Sequence, residues 1–233
     1  MKHQALKVAR LKKGWNQTQA ARRLRITQAY LNMLERGKRR LTPGLIRRFA
    51  LAYGLSPETL PVPEEFRAAR ADNQDLAESL SKLGYPGFAY LRTRAAQKNP
   101  SEVLLTALAQ DRLEGRVAEA LPWVILQYWQ STSGSPWLVE QARKLNLQNR
   151  LGFVVSLARK IAERDPDRQD HRTVALRELE FKLGESRLAK EDAFYRPPRT
   201  EGEKEWLKQN RSADAAHWNL LTDMQSEHLQ YVE

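Results

Sequence analysis

The sequence predicts an all-α protein, with five short helices in the first sixty residues followed by an α-helical bundle or a short stack of helix pairs. Two observations predict it. Helix-start residues recur at short intervals, at Asn16, Thr27, Thr42-Pro43, Asn99-Pro100 and Ser135-Pro136, each followed by apolar residues at helical spacing. The helical stretches, roughly ten to sixteen residues long in the second part of the chain, are joined by short turns. A hydrophobic content of 41% over 233 residues is enough to build packed cores. Three segments are expected, 1–63, 64–165 and 166–233.

Each N-terminal helix has its own start, inward face and stop. Leu6, Ala9 and Leu11 give the first an apolar face, and Gly14 can close it in the left-handed conformation. Asn16 caps a second helix over 17–24, with Ala20, Ala21 and Leu24 inward, and Arg25-Ile26 makes the turn. Thr27 caps a third over 28–35. Its Leu31 and Leu34 face inward, leaving Gln28, Ala29, Tyr30, Asn32 and Met33 mostly outward. Thr42-Pro43 starts a fourth with Leu45, Ile46, Phe49 and Ala50 on the core side; Gly54 ends it, and Ser56-Pro57-Glu58 opens a short fifth.

Two short helices around a tight turn, the first with small residues where they cross, have the shape of a unit that places a helix in the major groove. The run Gly14-Trp15-Asn16-Gln17-Thr18-Gln19-Ala20-Ala21-Arg22-Arg23-Leu24-Arg25-Ile26-Thr27-Gln28-Ala29-Tyr30-Leu31-Asn32-Met33-Leu34-Glu35-Arg36-Gly37-Lys38 resembles the Cro/XRE repressor motif without a gap, and Ala50-Leu51-Ala52-Tyr53-Gly54-Leu55-Ser56 falls in register with it. The resemblance covers residues 5–60 and implies a DNA-binding domain over 1–63. It implies that Gln17 holds a phosphate and braces Gln28, whose amide pairs with adenine. It places Thr27, Ala29, Tyr30, Asn32 and Met33 where the family reads bases or adjacent phosphates. Arg36, Lys38, Arg39 and Arg40 would lie along the DNA backbone, and Arg10 and Glu35 match an internal ion pair. The sequence departs from the family at Arg25, where glycine is usual, and a side chain at positive φ there carries strain.

The charge distribution agrees with a polyanion-binding lobe. Residues 1–60 hold 14 of the 39 Lys/Arg and only two of the 28 acids, Glu35 and Glu58, so the excess of the formal +11 lies in the first quarter and the rest of the chain is nearly neutral.

Beyond Pro61-Val62-Pro63, a stiff boundary, helical signals continue. Leu76, Ala77, Leu80 and Leu83 mark a helix over 72–83. Gly84-Tyr85-Pro86-Gly87 breaks it before a short helix with Phe88 and Leu91. A helix from Asn99-Pro100 should run to about Leu113, and the apolar stretch 117–129 should be core, interrupted by Pro122. A helix from Ser135-Pro136 and another over 147–162 follow, the latter with Gly152 as a packing contact. Residues 165–170 are polar, a charged helix runs from His171 to about Lys190, and Arg196-Pro197-Pro198-Arg199 stops it. The end of the chain could form one or two helices with Trp206, Leu207, Trp218, Leu220, Leu221, Met224, Leu229 and Tyr231 as apolar positions, folded back on the bundle or packed on another chain.

The expected function is sequence-specific regulation of transcription, by repression, from double-stranded DNA. Segment 64–165 is expected to dimerise the chain and bind a partner, with 166–233 a charged extension. One recognition helix reads too few base pairs alone, so a homodimer is expected. Leu83-Gly84-Tyr85-Pro86-Gly87-Phe88 and Leu147-Gln148-Asn149-Arg150-Leu151-Gly152-Phe153 look similar to segments of helix-turn-helix antitoxins paired with nucleotidyltransferase-like toxins, which implies an autoregulating antitoxin with a toxin on its C-terminal region. A ligand-sensing repressor and an enzyme domain steered to DNA are the alternatives. No catalytic residue, cofactor or metal is expected: there is no cysteine, the four histidines are scattered, no phosphate loop occurs, and Glu178, Glu180 and Glu185 read as solvated. The charged start Met1-Lys2-His3 and the lack of a long apolar run predict a cytoplasmic protein without a membrane span.

Overall fold

The computed structural model describes residues 3–164 and 171–229. The start Met1-Lys2, the polar run 165–170 and Tyr231 lie outside the described residues. The chain forms two compact units, Met1–Pro63 and Glu64–Glu233.

The first unit contains α1 (His3–Lys12), α2 (Gln17–Arg23), α3 (Gln28–Glu35) and α4 (Pro43–Tyr53). Asn16, Thr27 and Thr42 each accept a backbone N–H at a helix start, and Gly54 ends α4 at φ 61°. The expected fifth helix is a single 3₁₀ turn, Pro57–Thr59. Leu60 is already extended (ψ 141°) because it precedes Pro61, and Pro63 follows, so a helix cannot propagate. The core comprises Leu6, Ala9, Ala20, Ala21, Leu24, Leu31, Leu34, Phe49 and Tyr53. Leu11 is not part of it and is 57% exposed. At about 100° per residue, Leu6, Ala9 and Arg10 share the inward face of α1 while Leu11 is turned well away.

The second unit comprises α5 (Asn73–Leu83), α6 (Pro100–Leu108), α7 (Gly115–Gln127), α8 (Trp129–Ser133), α9 (Pro136–Lys144), α10 (Gln148–Glu163), α11 (His171–Gly184), α12 (Glu201–Asn210) and α13 (Ala213–His217). It also has two short parallel strands, β1 (Asp192–Ala193) and β2 (Leu220–Leu221), with Asp192 opposite Leu220. Helix α10 is buried from Gln148 through Ala158 and packs against α7, α9, α11 and α13. The unit is therefore a bundle around α10.

Several sequence expectations are corrected here. Residues 171–229 are not a separate extension: Leu176, Leu179, Leu183, Phe194, Ala215, Trp218, Leu220 and Met224 complete the same core. The helix expected at Phe88 is a 3₁₀ turn, Pro86–Phe88. Helix α6 stops at Leu108, because the buried Arg150 guanidinium takes the carbonyls of Leu108 and Gln110, both at 2.9 Å, and pairs with Asp192. Helix α7 continues through Pro122, and the break falls at Tyr128, whose hydroxyl is held by the Leu83 carbonyl at 2.7 Å. Helix α11 ends at Gly184, where Arg143 takes the Lys182 carbonyl and Gln148 that of Ser186. Trp206 is exposed rather than apolar core. Glu180 is not solvated; it accepts from Ser156 (2.5 Å) and Arg159 (2.6 Å). Among the described residues no helix is long and apolar enough to cross a membrane.

Candidate nucleic-acid interface

Helices α2 and α3 meet through the small buried pair Ala20 and Ala21 on one side and Leu31 and Leu34 on the other, so two short helices approach closely around the turn Leu24-Arg25-Ile26. Arg25 sits at φ 51°, the left-handed conformation that favours glycine. The Ile26 N–H donates to the Ala21 carbonyl and the Arg48 guanidinium to that of Leu24, so α2 ends with its carbonyls engaged. At its start Asn16 and Gln19 form a reciprocal capping box.

A relay of hydrogen bonds runs from the interior to the outer face of α3. Arg10 donates to both oxygens of Glu35, at 2.6 and 3.1 Å, and to the Trp15 carbonyl at 2.8 Å. The pair is almost fully buried. Gln17 donates from Nε2 to Glu35 at 2.9 Å, and Gln28 donates from Nε2 to Gln17 Oε1 at 2.7 Å. Glu35 as a carboxylate can only accept, which fixes the Gln17 amide with nitrogen inward and oxygen outward. That oxygen in turn fixes Gln28. The Gln28 amide is left with one N–H and its oxygen, the donor–acceptor set that pairs with N7 and N6 of adenine. Gln17 keeps one N–H able to donate elsewhere.

The electrostatics of the relay follow from burial and pairing. Burial alone raises the Glu35 pKa, but the hydrogen bonds from Arg10 and Gln17 and the Arg10 charge outweigh it and hold the carboxyl below its ordinary value. Arg10 is raised, chiefly by its hydrogen bond to Glu35. Burial, with the Glu35 charge, pushes the neighbouring Tyr53 phenol up to about 12.

Gln28 and Ala29 are exposed, Asn32 and Met33 half-buried, and Arg36 exposed; at positions i, i+1, i+4, i+5 and i+8 they form one outward stripe of α3 and its cap. Tyr30 faces away from that stripe and packs partly on the core. Thr27 is exposed, and its hydroxyl oxygen accepts the Tyr30 N–H at 3.2 Å, which leaves its O–H able to donate. Lys38, Arg39 and Arg40 are exposed directly after the helix. Three further residues escaped the sequence reading. Gln19 completes the capping box, a spacing visible as Asn-x-x-Gln. Arg48 closes α2, and Arg23 lies 4.4 Å over the Trp15 ring; neither has a sequence signal, since both contacts are tertiary or cross a turn.

Outside this unit, no group of three or more His, Asp or Glu able to hold a metal occurs among the described residues. His171, His217 and His228 are exposed, and His3 lies with Nδ1 2.8 Å from the Leu34 carbonyl.

Residues 6–60 match the family model described as Helix-turn-helix, the span that contains the whole relay. No curated protein and no solved structure matches the chain. A chain with this domain is a DNA-binding regulator of transcription.

Proposed function

We propose that this helix-turn-helix chain is a sequence-specific repressor that reads duplex DNA through α3, and that residues 64–233 form a non-catalytic body that dimerises it and receives its signal. The observation that carries the reading is the Arg10–Glu35–Gln17–Gln28 relay, which presents one exposed amide in a fixed orientation. A pre-set bidentate donor–acceptor pair discriminates between bases; a freely rotating amide discriminates less, because it must first be ordered. Two such helices, one per subunit, would read half-sites one helical turn, roughly 34 Å, apart.

The test is selection of binding sites from random duplexes, followed by affinity measurements on the selected site and its single-base variants. The expected result is a two-fold related site with an adenine whose replacement costs the parent protein about 1–3 kcal/mol but costs Gln28→Ala little. Equal losses on every sequence in the Gln28→Ala variant would remove its base-reading role.

The signal received by the body is a separate question. The two segments that resemble antitoxins contribute Tyr85, Phe88, Leu151 and Phe153 to the core, while Gly84 and Pro86 of the first are exposed. Pull-down from native cells decides between a protein and a small molecule: a stoichiometric protein partner together with the protein's own promoter identifies an autoregulating antitoxin. Promoters without a protein partner identify a ligand-sensing repressor.

A further inference from the structure

Between the 3₁₀ turn Pro86–Phe88 and α6 the chain has no regular structure over residues 89–99, yet its exposure alternates. Leu91, Thr93, Ala95 and Gln97 are half-buried; Tyr90, Arg92, Arg94, Ala96 and Lys98 are exposed. A period of two is the signature of extended backbone with one face docked. The docked face has identifiable fastenings. Leu91 packs on the core, and Ser81 donates to the Leu91 carbonyl at 3.5 Å. The Thr93 hydroxyl donates to Glu78 at 2.6 Å and accepts from the Ala95 N–H at 2.9 Å. At the far end Asn99 caps α6.

The outward face is chemically uniform. It carries three cations and a tyrosine, and no acid occurs in the sequence between Glu78 and Glu102. The Glu78 carboxylate beside the strap is engaged by Thr93. Among the described residues Arg92, Arg94 and Lys98 make no ion pair. Elsewhere in the same unit Arg150, Arg159, Lys160, Arg164 and Arg211 each face a carboxylate. Tyr90 is 67% exposed, although its ring abuts Phe88 at the end of the aromatic cluster with Tyr85 and Trp123. Three cations without ion pairs thus lie close together on one fastened strip of a nearly neutral unit. Extended chain rises about 3.3 Å per residue, so Arg92 to Lys98 spans about 20 Å, the axial length of several phosphates.

We propose that Tyr90, Arg92, Arg94 and Lys98 form a second, sequence-independent contact to the phosphates of duplex DNA. The three cations release counterions, and the tyrosine hydroxyl donates to a phosphate oxygen. This proposal rests on the DNA-binding reading above. Holding the cations on a fastened strip avoids the ordering cost of a flexible basic tail.

The experiment uses the full-length protein and the triple variant Arg92→Ala, Arg94→Ala, Lys98→Ala, titrated by fluorescence anisotropy on a random duplex and on the selected site between about 50 and 200 mM salt. Three lost phosphate contacts should flatten the plot of log K against log salt by about 2–3 on both duplexes, leaving the ratio of their affinities unchanged. An unaltered slope would overturn the proposal. So would an equal flattening by Arg92→Lys with Arg94→Lys, since charge would then not be the cause. Loss of polyglutamate binding in the triple variant, with the DNA slope intact, would overturn it in favour of an acidic protein partner. Gln28→Ala, run in parallel, should lower the affinity ratio without changing the slope. If it leaves the ratio unchanged, the base-reading assignment fails while the slope still reports on the strap.

Discussion

Gln28 is exposed, but its orientation is set three residues deep, and that makes the relay testable through residues that touch no base. If Gln28 reads adenine as proposed, Gln17→Ala should lower discrimination at that base by about 1 kcal/mol, from the lost ordering of one side chain, and weaken all sites slightly if Gln17 also donates to a phosphate. Affinity on the selected site and its single-base variants separates the two effects. Glu35→Gln should destabilise the first unit by about 3 kcal/mol or more, because Arg10 is left buried without its counter-charge. Glu35 is depressed in the fold, so its contribution is complete above the unfolded value near pH 4.3 and is lost as pH falls through the lower folded value. Urea titrations should show this acid limb in the parent and not in the variant. Tyr53 gives the opposite limb. Its pKa is raised to about 12, so its contribution is complete below about pH 10 and lost as pH rises toward 12. Its hydroxyl is buried with no hydrogen-bond partner among the described residues, so Tyr53→Phe should be neutral or slightly stabilising at pH 7 and should remove the alkaline limb.

At the scale of elements, the turn of the motif and the α10–α13 contact each depend on one backbone position. Arg25 at φ 51° carries the strain that glycine would not, so Arg25→Gly should raise the unfolding free energy of the first unit by up to about 1 kcal/mol, less the entropy glycine adds to the unfolded chain. A thermal scan of the two proteins side by side measures it. Gly152 faces the buried Trp218, and a Cβ there would lie 2.3–2.4 Å from its ring atoms. Trp218 is fastened by its indole N–H to Ser156 Oγ at 2.8 Å. Gly152→Ala should therefore destabilise the second unit by about 1–3 kcal/mol or more through overpacking, seen as a lower denaturation midpoint. The helix starts in both units were legible, because Asn16, Thr27, Thr42, Asn99 and Ser135 act on backbone within their own turn. Helix ends were less so. Arg150 and Arg143 act on helix ends from distant parts of the chain, and the α7 break at Tyr128 is held by the distant Leu83 carbonyl, so no local pattern announces them.

At the scale of the whole molecule, the excess basic charge and the outward stripe of α3 sit in one compact unit, and the large core sits in the other. Residues 1–63 have their own core and should fold alone, yet a single recognition helix should bind the selected site far more weakly than the full chain. Analytical ultracentrifugation with DNA titrations of both forms checks this. Full-strength binding by the fragment would show that residues 64–233 are not what pairs the helices.

The sequence by itself determined the all-α class, the first unit's helix order and the identity of the outward residues of α3, because caps, helical periodicity and charge are local quantities. It also carried the motif on which the Gln28 assignment rests. Only the tertiary structure decided that residues 171–229 complete the second core and that Glu180 is an internal acceptor. It also decided that the Gln28 amide has one orientation, which depends on a carboxylate buried on the far side of Gln17. The reason is common to all three: whether a side chain is buried, and which partner it meets, depends on which remote helix covers it. That is fixed by packing, to which a spacing pattern along one helix contributes only half of the contact.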